Sequence, residues 1–241
     1  MVLMSDMSDM RVLLIIPCYN EQGAIASLLK EINACGGYET IVVDDGSGDA
    51  SYEIASGVSS TIRLLRNLGI GGAVQTGIKY AERNGFDVCI QIDGDGQHLP
   101  GEIIKLLQAY VETRCAIIIG SRYLHNDTFR STWARRRGSQ TIAWVLNSLF
   151  PRCCVTDPTS GMRLMDRKAI ELFAQHYPHD FPEPISLAWA LKEGFSVGEV
   201  AVKMRARTQG NSSIIGFKTV TYMLRVLGYI VLARLMRSDP R

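Results

Sequence analysis

Over the first 120 residues, short runs rich in Val and Ile alternate with segments of helical spacing. That alternation limits the possible folds more than any other feature. Arg11–Ile16, Glu39–Asp44, Thr61–Arg66, Val88–Ile92 and Ala116–Gly120 read as strands buried on both faces. Ala24–Ile32 and Val74–Arg83 carry helical spacing between them, and Pro100 with Glu102 opens a third helix. The pattern predicts an α/β fold, a right-handed doubly wound sheet with helices on both faces. Ligands of such sheets bind beyond the carboxyl ends of the strands, so chemistry is expected just after each strand. The 241 residues suit one domain of this kind, with at most a small appendage.

The second half is less regular. Ile142, Val145, Leu146 and Leu149 make an apolar face directly after Arg135–Arg137. Pro184–Glu193 reads as a helix, Ser196–Val202 as a strand and Ile214–Met236 as a final helix.

Three strand ends are acidic or polar where a buried core would not be: Pro17–Glu21, Asp44–Ser47 and Gln91–His98. Asp93 and Asp95 bracket one glycine, and a flexible turn can aim both carboxylates at one point. Their repulsion calls for a cation, and a hard divalent ion, Mg²⁺ or Mn²⁺, completed by phosphate oxygens and water, answers it. The alternative is a solvated turn, since Asp-Gly is a common turn former; the position after a buried strand, together with Asp44–Asp45, favours the ion. Gly69-Ile70-Gly71-Gly72-Ala73-Val74 approaches a dinucleotide fingerprint, but valine stands at the third glycine position. These glycines read as a tight, close-packed turn.

In order along the chain, Pro17–Glu21 (PCYNE), Asp44–Ser47 (DDGS), Arg66–Ala73 (RNLGIGGA), Gln91–Pro100 (QIDGDGQHLP), Gly120–Arg122 (GSR) and Asp157–Arg163 (DPTSGMR) resemble a family-2 glycosyltransferase of the GT-A fold. The branch most resembled is the dolichyl-phosphate mannose synthase-like group with its bacterial polyprenyl-phosphate relatives. The resemblance implies a Rossmann-like, doubly wound mixed sheet, mostly parallel, with C-terminal amphipathic helices. It divides the chain into a tail (1–10), a catalytic domain (11–212) and a C-terminal amphipathic segment (213–241) at a membrane or an oligomer contact.

The resemblance also implies roles. Pro17, Tyr19, Glu21 and Asp45 would hold the nucleoside of a UDP- or GDP-linked sugar. Asp93 and Asp95 would meet the metal and the diphosphate, with Gln97 nearby. Asp157, Asp95 and Arg163 would lie at the reaction centre. Arg122, Arg135, Arg136, Arg205, Arg207 and Ser212 are candidates for phosphate of donor or acceptor, and Glu183 for a carboxylate on the acceptor side. Met162 stands where the family usually has phenylalanine.

Charge sets the reaction class. Breaking the bond from sugar C1 to a nucleoside diphosphate builds negative charge on the leaving group, which a divalent ion and arginines stabilise. A polyprenyl-phosphate acceptor is already ionised at neutral pH, with a phosphomonoester second pKa of about 6. A saccharide hydroxyl acceptor instead needs a base, for which Asp157 or Glu183 would serve. Either way the family implies a single in-line displacement with inversion at C1. A nucleotide-sugar-binding subunit without catalysis is the reading from another class.

The net charge of +2 hides an uneven distribution. Residues 115–155 hold six arginines against Asp127, and residues 203–241 hold eight basic residues against Asp239. Such stretches ask for an anionic partner. Cations beside apolar helical faces too short to span a bilayer fit a membrane interface, while packing on the domain or a homo-oligomer face is the alternative. No nucleic-acid motif is present, so a nucleic-acid partner is not expected. Residues 1–10 lack a basic n-region, and the six cysteines lack a CxxC pair or metal spacing. The expected location is cytoplasmic, peripheral on the inner face of the cell membrane.

Overall fold

The computed structural model describes residues 10–124, 133–151, 153–205 and 217–235. A seven-stranded sheet runs through its centre. The strands are β1 (Val12–Cys18), β2 (Glu39–Asp44), β3 (Ser60–Arg63), β4 (Val88–Gln91), β5 (Ile117–Ser121), β6 (Arg163–Asp166) and β7 (Val197–Ala201). Their order is β3-β2-β1-β4-β6-β5-β7. β6 runs antiparallel to both its neighbours, β4 and β5, and the other pairings are parallel. The sheet is therefore mixed and mostly parallel, as expected.

The helices are α1 (Ile25–Ala34), α2 (Ser51–Ser56), α3 (Gly69–Arg83), α4 (Ile103–Thr113), α5 (Trp133–Leu149), α6 (Arg167–Gln175), α7 (Pro182–Lys192) and α8 (Phe217–Leu235). All seven residues of β1 are buried because helices cover both faces. Leu13 and Ile15 point into a core shared with α3, α5, α6, α7 and α8. Leu14 and Ile16 point into a second core with α1 and α4. In the first core Val226, Ile230 and Ala233 seat one stripe of α8, which packs on α5 and α7.

Four elements differ from the expectation, the first being α2, where no element was expected. α3 begins at Gly69, so the glycines form its first turn rather than a turn before it. A side chain at Gly71 would collide with the backbone of residues 178–179, and one at Gly77 with Ile15; close packing is what these glycines serve. β6 and α6 occupy residues 163–175, where no element was expected. Asp166 caps α6 by accepting the Ala169 N–H at 2.8 Å.

From β1 the chain winds outward through β2 and β3, then returns to β4 on the other flank of β1. The loops after β1 and β4 diverge there, the usual place for a ligand crevice.

Candidate functional site

A cavity of about 350 Å³ opens at that divergence. Pro17, Tyr19, Glu21, Asp45, Asp93 and Asp95 line it, and the start of α3 adds Gly69, Ile70 and Ala73 to the wall. Five of the six residues expected to bind the donor therefore converge there. The sixth, Gln97, is held in the adjoining turn, its N–H donating to Asp95 Oδ1 at 3.0 Å and its carbonyl accepting the Arg205 N–H at 2.8 Å.

The loops after β1 and β2 are bound to each other. The Asn20 N–H donates to Ser47 Oγ (3.0 Å), the Gly48 N–H to Asn20 Oδ1 (2.9 Å) and the Glu21 N–H to Ser51 Oγ (2.8 Å). Asp44 and Asp45 divide their work. Asp44 is wholly buried, with Oδ2 3.5 Å from Arg63 Nε, and braces the loop. Asp45 faces the cavity and accepts the Leu68 N–H at 2.7 Å. Burial raises its pKa, and the backbone N–H groups of Leu68 and Gly69 oppose that rise.

Asp93 is held on three sides. Its N–H donates to His98 Nδ1 (3.1 Å), and Gln91 Nε2 donates to its Oδ1 (3.4 Å). Gly161 lies so close that any side chain there would run into both carboxylate oxygens. The DPTSGMR segment is thus folded onto the acidic loop, and glycine is the residue its approach requires.

Asp157 differs from expectation. It is fully buried, and Arg122 grips it with Nε on Oδ2 and Nη2 on Oδ1, both at 2.7 Å. An acid so enclosed anchors an arginine; it could take an acceptor's proton only by giving that arginine up. Arg163, also expected at the reaction centre, is buried. It donates to the carbonyls of Ser160 (2.8 Å), Glu183 (2.6 Å) and Pro158 (2.6 Å), and burial lowers its pKa. It braces the loop and the start of α7 from inside. Arg205, expected on a phosphate, forms a bidentate pair with Glu31 of α1 at 2.9 and 2.6 Å. A phosphate would have to displace Glu31.

Arg136 is exposed, its guanidinium 5.8 Å from the ring of Tyr123, while Arg122 lies 5.4 Å from the same ring. Glu183 stands in the first turn of α7, half-buried. Burial raises its pKa; Arg163 opposes the rise and Asp93 adds to it. Arg207, Ser212 and the side chain of Arg135 lie outside the described residues.

Sequence reasoning missed Glu199. Glu199 of β7 accepts the N–H groups of Thr156 (2.9 Å) and Asp157 (2.8 Å) and the Thr156 hydroxyl (2.8 Å), fixing the loop before β6 that carries Asp157. Its signal was a lone acid within the apolar run Val197–Ala201.

The donor set suits a hard divalent ion. Asp93 and Asp95 offer oxygen only, and Gln91 Oε1 is a buried acceptor without a hydrogen-bond partner beside them. Among the described residues no group of three or more His, Cys, Asp and Glu could hold a metal alone. An ion here would need ligand oxygens from substrate or water.

Comparison with known proteins gives one pattern. The model of the family described as "Glycosyl transferase family 2" matches residues 13–173. The UDP-N-acetylglucosamine–dolichyl-phosphate N-acetylglucosaminyltransferase of Methanococcus voltae is 28% identical over 92% of this chain and 97% of its own. The polyprenol monophosphomannose synthase of Mycolicibacterium smegmatis is 29% identical over 95% of this chain and 90% of its own. The undecaprenyl-phosphate mannosyltransferase of Micrococcus luteus is 31% identical over 86% of this chain and 88% of its own. Among solved structures, glucosyl-3-phosphoglycerate synthase from Mycobacterium tuberculosis, in complex with Mn²⁺, UDP and glucosyl-3-phosphoglycerate, matches with a TM-score of 0.69. The match covers 98% of this chain and 84% of that one at 18% identity, a likeness of fold. The GT-A-like sheet expected from the motifs is present.

Proposed function

The chain belongs to glycosyl transferase family 2, and on that premise we propose that it moves a sugar from a UDP- or GDP-linked donor to a polyprenyl phosphate at the cytoplasmic face of a membrane. The observation that carries the reading is the pair Asp93 and Asp95 at the wall of a cavity sized for a small ligand, at the divergence of β1 and β4. The nucleoside would lie between Pro17–Glu21 and the first turn of α3, which places the diphosphate towards Asp93 and Asp95. A divalent ion, Mg²⁺ or Mn²⁺, held by these two carboxylates would supply Lewis-acid stabilisation of the leaving diphosphate.

The remaining steps fall to the chain itself. His98, Gln91 and Gly161 keep Asp93 in place. Glu199 holds Asp157, Asp157 holds Arg122 at the end of β5, and Arg136 beside Tyr123 offers a cation to acceptor phosphate. A phosphate acceptor arrives ionised, so inversion at C1 by in-line attack requires no protein base.

The lipid acceptor has two supports. Relatives that align over most of their length act, by their names, on dolichyl, polyprenol and undecaprenyl phosphates. In addition, α5 and α8 carry no acidic residue and pack side by side. Their outer surfaces expose Trp144, Leu224, Leu232 and Leu235 with Arg136, Arg137 and Arg225. Among the described residues no helix is long and apolar enough to cross a membrane. An apolar surface ringed by cations suits the headgroup region of an anionic bilayer.

A second reading, transfer to a saccharide hydroxyl, is favoured by Glu183. Its pKa is raised by burial and further by the charge of Asp93, which suits a general base.

The test is transfer of labelled sugar to polyprenyl phosphate in anionic vesicles, with Mg²⁺ or Mn²⁺ and a panel of nucleotide-sugars. A lipid-linked monosaccharide is expected, falling on the order of 100-fold or more in Asp93→Asn and Asp95→Asn. Transfer to soluble saccharides alone would establish the second reading, and donor binding without transfer would indicate a binding subunit.

A further inference from the structure

We propose that His98 is a positioning residue for the divalent-ion site, holding Asp93 through its backbone N–H. The inference rests on the ion-binding role given to Asp93 and Asp95 above.

The loop that carries the two acids contains Gly94 and Gly96, and by itself it would sample many conformations. Contacts at its two ends restrict it. At its start the Asp93 N–H donates to His98 Nδ1 at 3.1 Å, closing residues 93–98 into a ring. At its end the Gln97 carbonyl accepts the Arg205 N–H, and His98 forms an isolated antiparallel bridge with Met204 beyond β7. The imidazole is 1% exposed, so it is a fixed post and not a side chain that swings in solvent.

Because Nδ1 accepts, the neutral ring carries its proton on Nε2. Only an acceptor at the Nδ1 position can satisfy the Asp93 amide. Orienting that amide orients the Cα–Cβ bond of Asp93, and with Gly161 against the carboxylate the acid is aimed before any ion arrives. Two like charges held ready in this way spare the ion the work of ordering a flexible loop.

Asparagine and glutamine separate position from polarity. Asn Oδ1 falls near the place of Nδ1, whereas Gln Oε1 falls near that of Nε2. Mn²⁺ binding to the full chain is measured by the electron paramagnetic resonance of free Mn²⁺, with UDP and, separately, with GDP, alongside thermal melting. His98→Gln is expected to weaken Mn²⁺ binding roughly tenfold or more, while His98→Asn stays within about threefold of wild type. In turnover the same contrast should appear in the Mn²⁺ concentration for half-activation, with kcat recovering at saturating Mn²⁺. Equal Mn²⁺ affinity for wild type and His98→Gln would overturn the role of His98 while leaving the site intact. So would equal weakening in both variants. Failure of the wild-type chain to bind Mn²⁺ with either nucleotide would remove the ion site itself, and this inference with it.

Discussion

Replacing Arg122 with alanine should cost about 3 kcal/mol of folding stability, and burial is what sets that size. The side chains of Arg122 and Asp157 are only 10% and 0% exposed, and two parallel hydrogen bonds of 2.7 Å join them. Breaking a buried pair from one side costs about 3–5 kcal/mol, because the other charge is stranded. The lower end applies here. Asp157 would keep the Arg122 backbone N–H at 3.0 Å and the hydroxyls of Thr159 and Ser139 at 3.2 and 3.4 Å. Arg167 and Glu171 provide the internal contrast, joined at 2.8 Å but 44% and 51% exposed. Glu171→Gln should therefore cost only about 0.3–0.5 kcal/mol. Guanidinium unfolding followed by tryptophan fluorescence reads both. In a double-mutant cycle, Arg122→Ala with Asp157→Asn should lose less than the sum of the single changes, since the stranded charge is gone. An Arg122→Ala protein within about 1 kcal/mol of wild type would refute the assignment of this pair as a buried anchor.

Glu199→Ala should destabilise by about 1–3 kcal/mol, because the Thr156 and Asp157 N–H groups lose their acceptor. Glu199→Gln keeps an acceptor oxygen and should come close to wild type in the same unfolding assay. Gly161→Ala should weaken divalent-ion binding about 10–100-fold in calorimetry by displacing the Asp93 carboxylate. Glu183 sets a pH dependence. Burial holds its folded-state pKa above the ordinary 4.5, so the folded chain binds that proton more tightly than the unfolded one. The contribution to stability is full below 4.5 and is lost as pH rises through the folded value. Glu183→Gln should match wild type in acid and exceed it in stability at neutral pH, in unfolding titrations run across that range.

How far the molecule could be read in advance depended on the range of the interaction. β1, β2, β4 and β5 declare themselves because strands buried on both faces must be apolar almost throughout. β6 could not be read this way: Arg163–Asp166 is four residues with a charge at each end, and its pairing with β4 and β5 makes it a strand. α6 carries its own cap, Asp166, and an apolar stripe at Ala169, Ile170 and Phe173, yet no element was expected there. At the site, the strand-end acids were legible because charge after a buried strand has few structural uses. Arginine roles were not. Sequence marks Arg122, Arg163 and Arg205 as cations, but only the fold brings Asp157, the carbonyl of Pro158 and Glu31 to them, the last across 174 positions of chain. Each cation proved committed to a nearby acceptor, so positive charge alone overstated the number of phosphate ligands.

The central claim is that Asp93 and Asp95 hold a divalent ion against the donor diphosphate. Crystals of the full chain grown with Mn²⁺ and UDP or GDP, measured at the manganese absorption edge, test it directly. The account predicts one anomalous peak beside the ~350 Å³ cavity, about 2.1 Å from a carboxylate oxygen of Asp93 or Asp95 and in contact with the diphosphate. A nucleotide bound in the cavity with manganese elsewhere, or with the two acids turned away from it, would contradict the account.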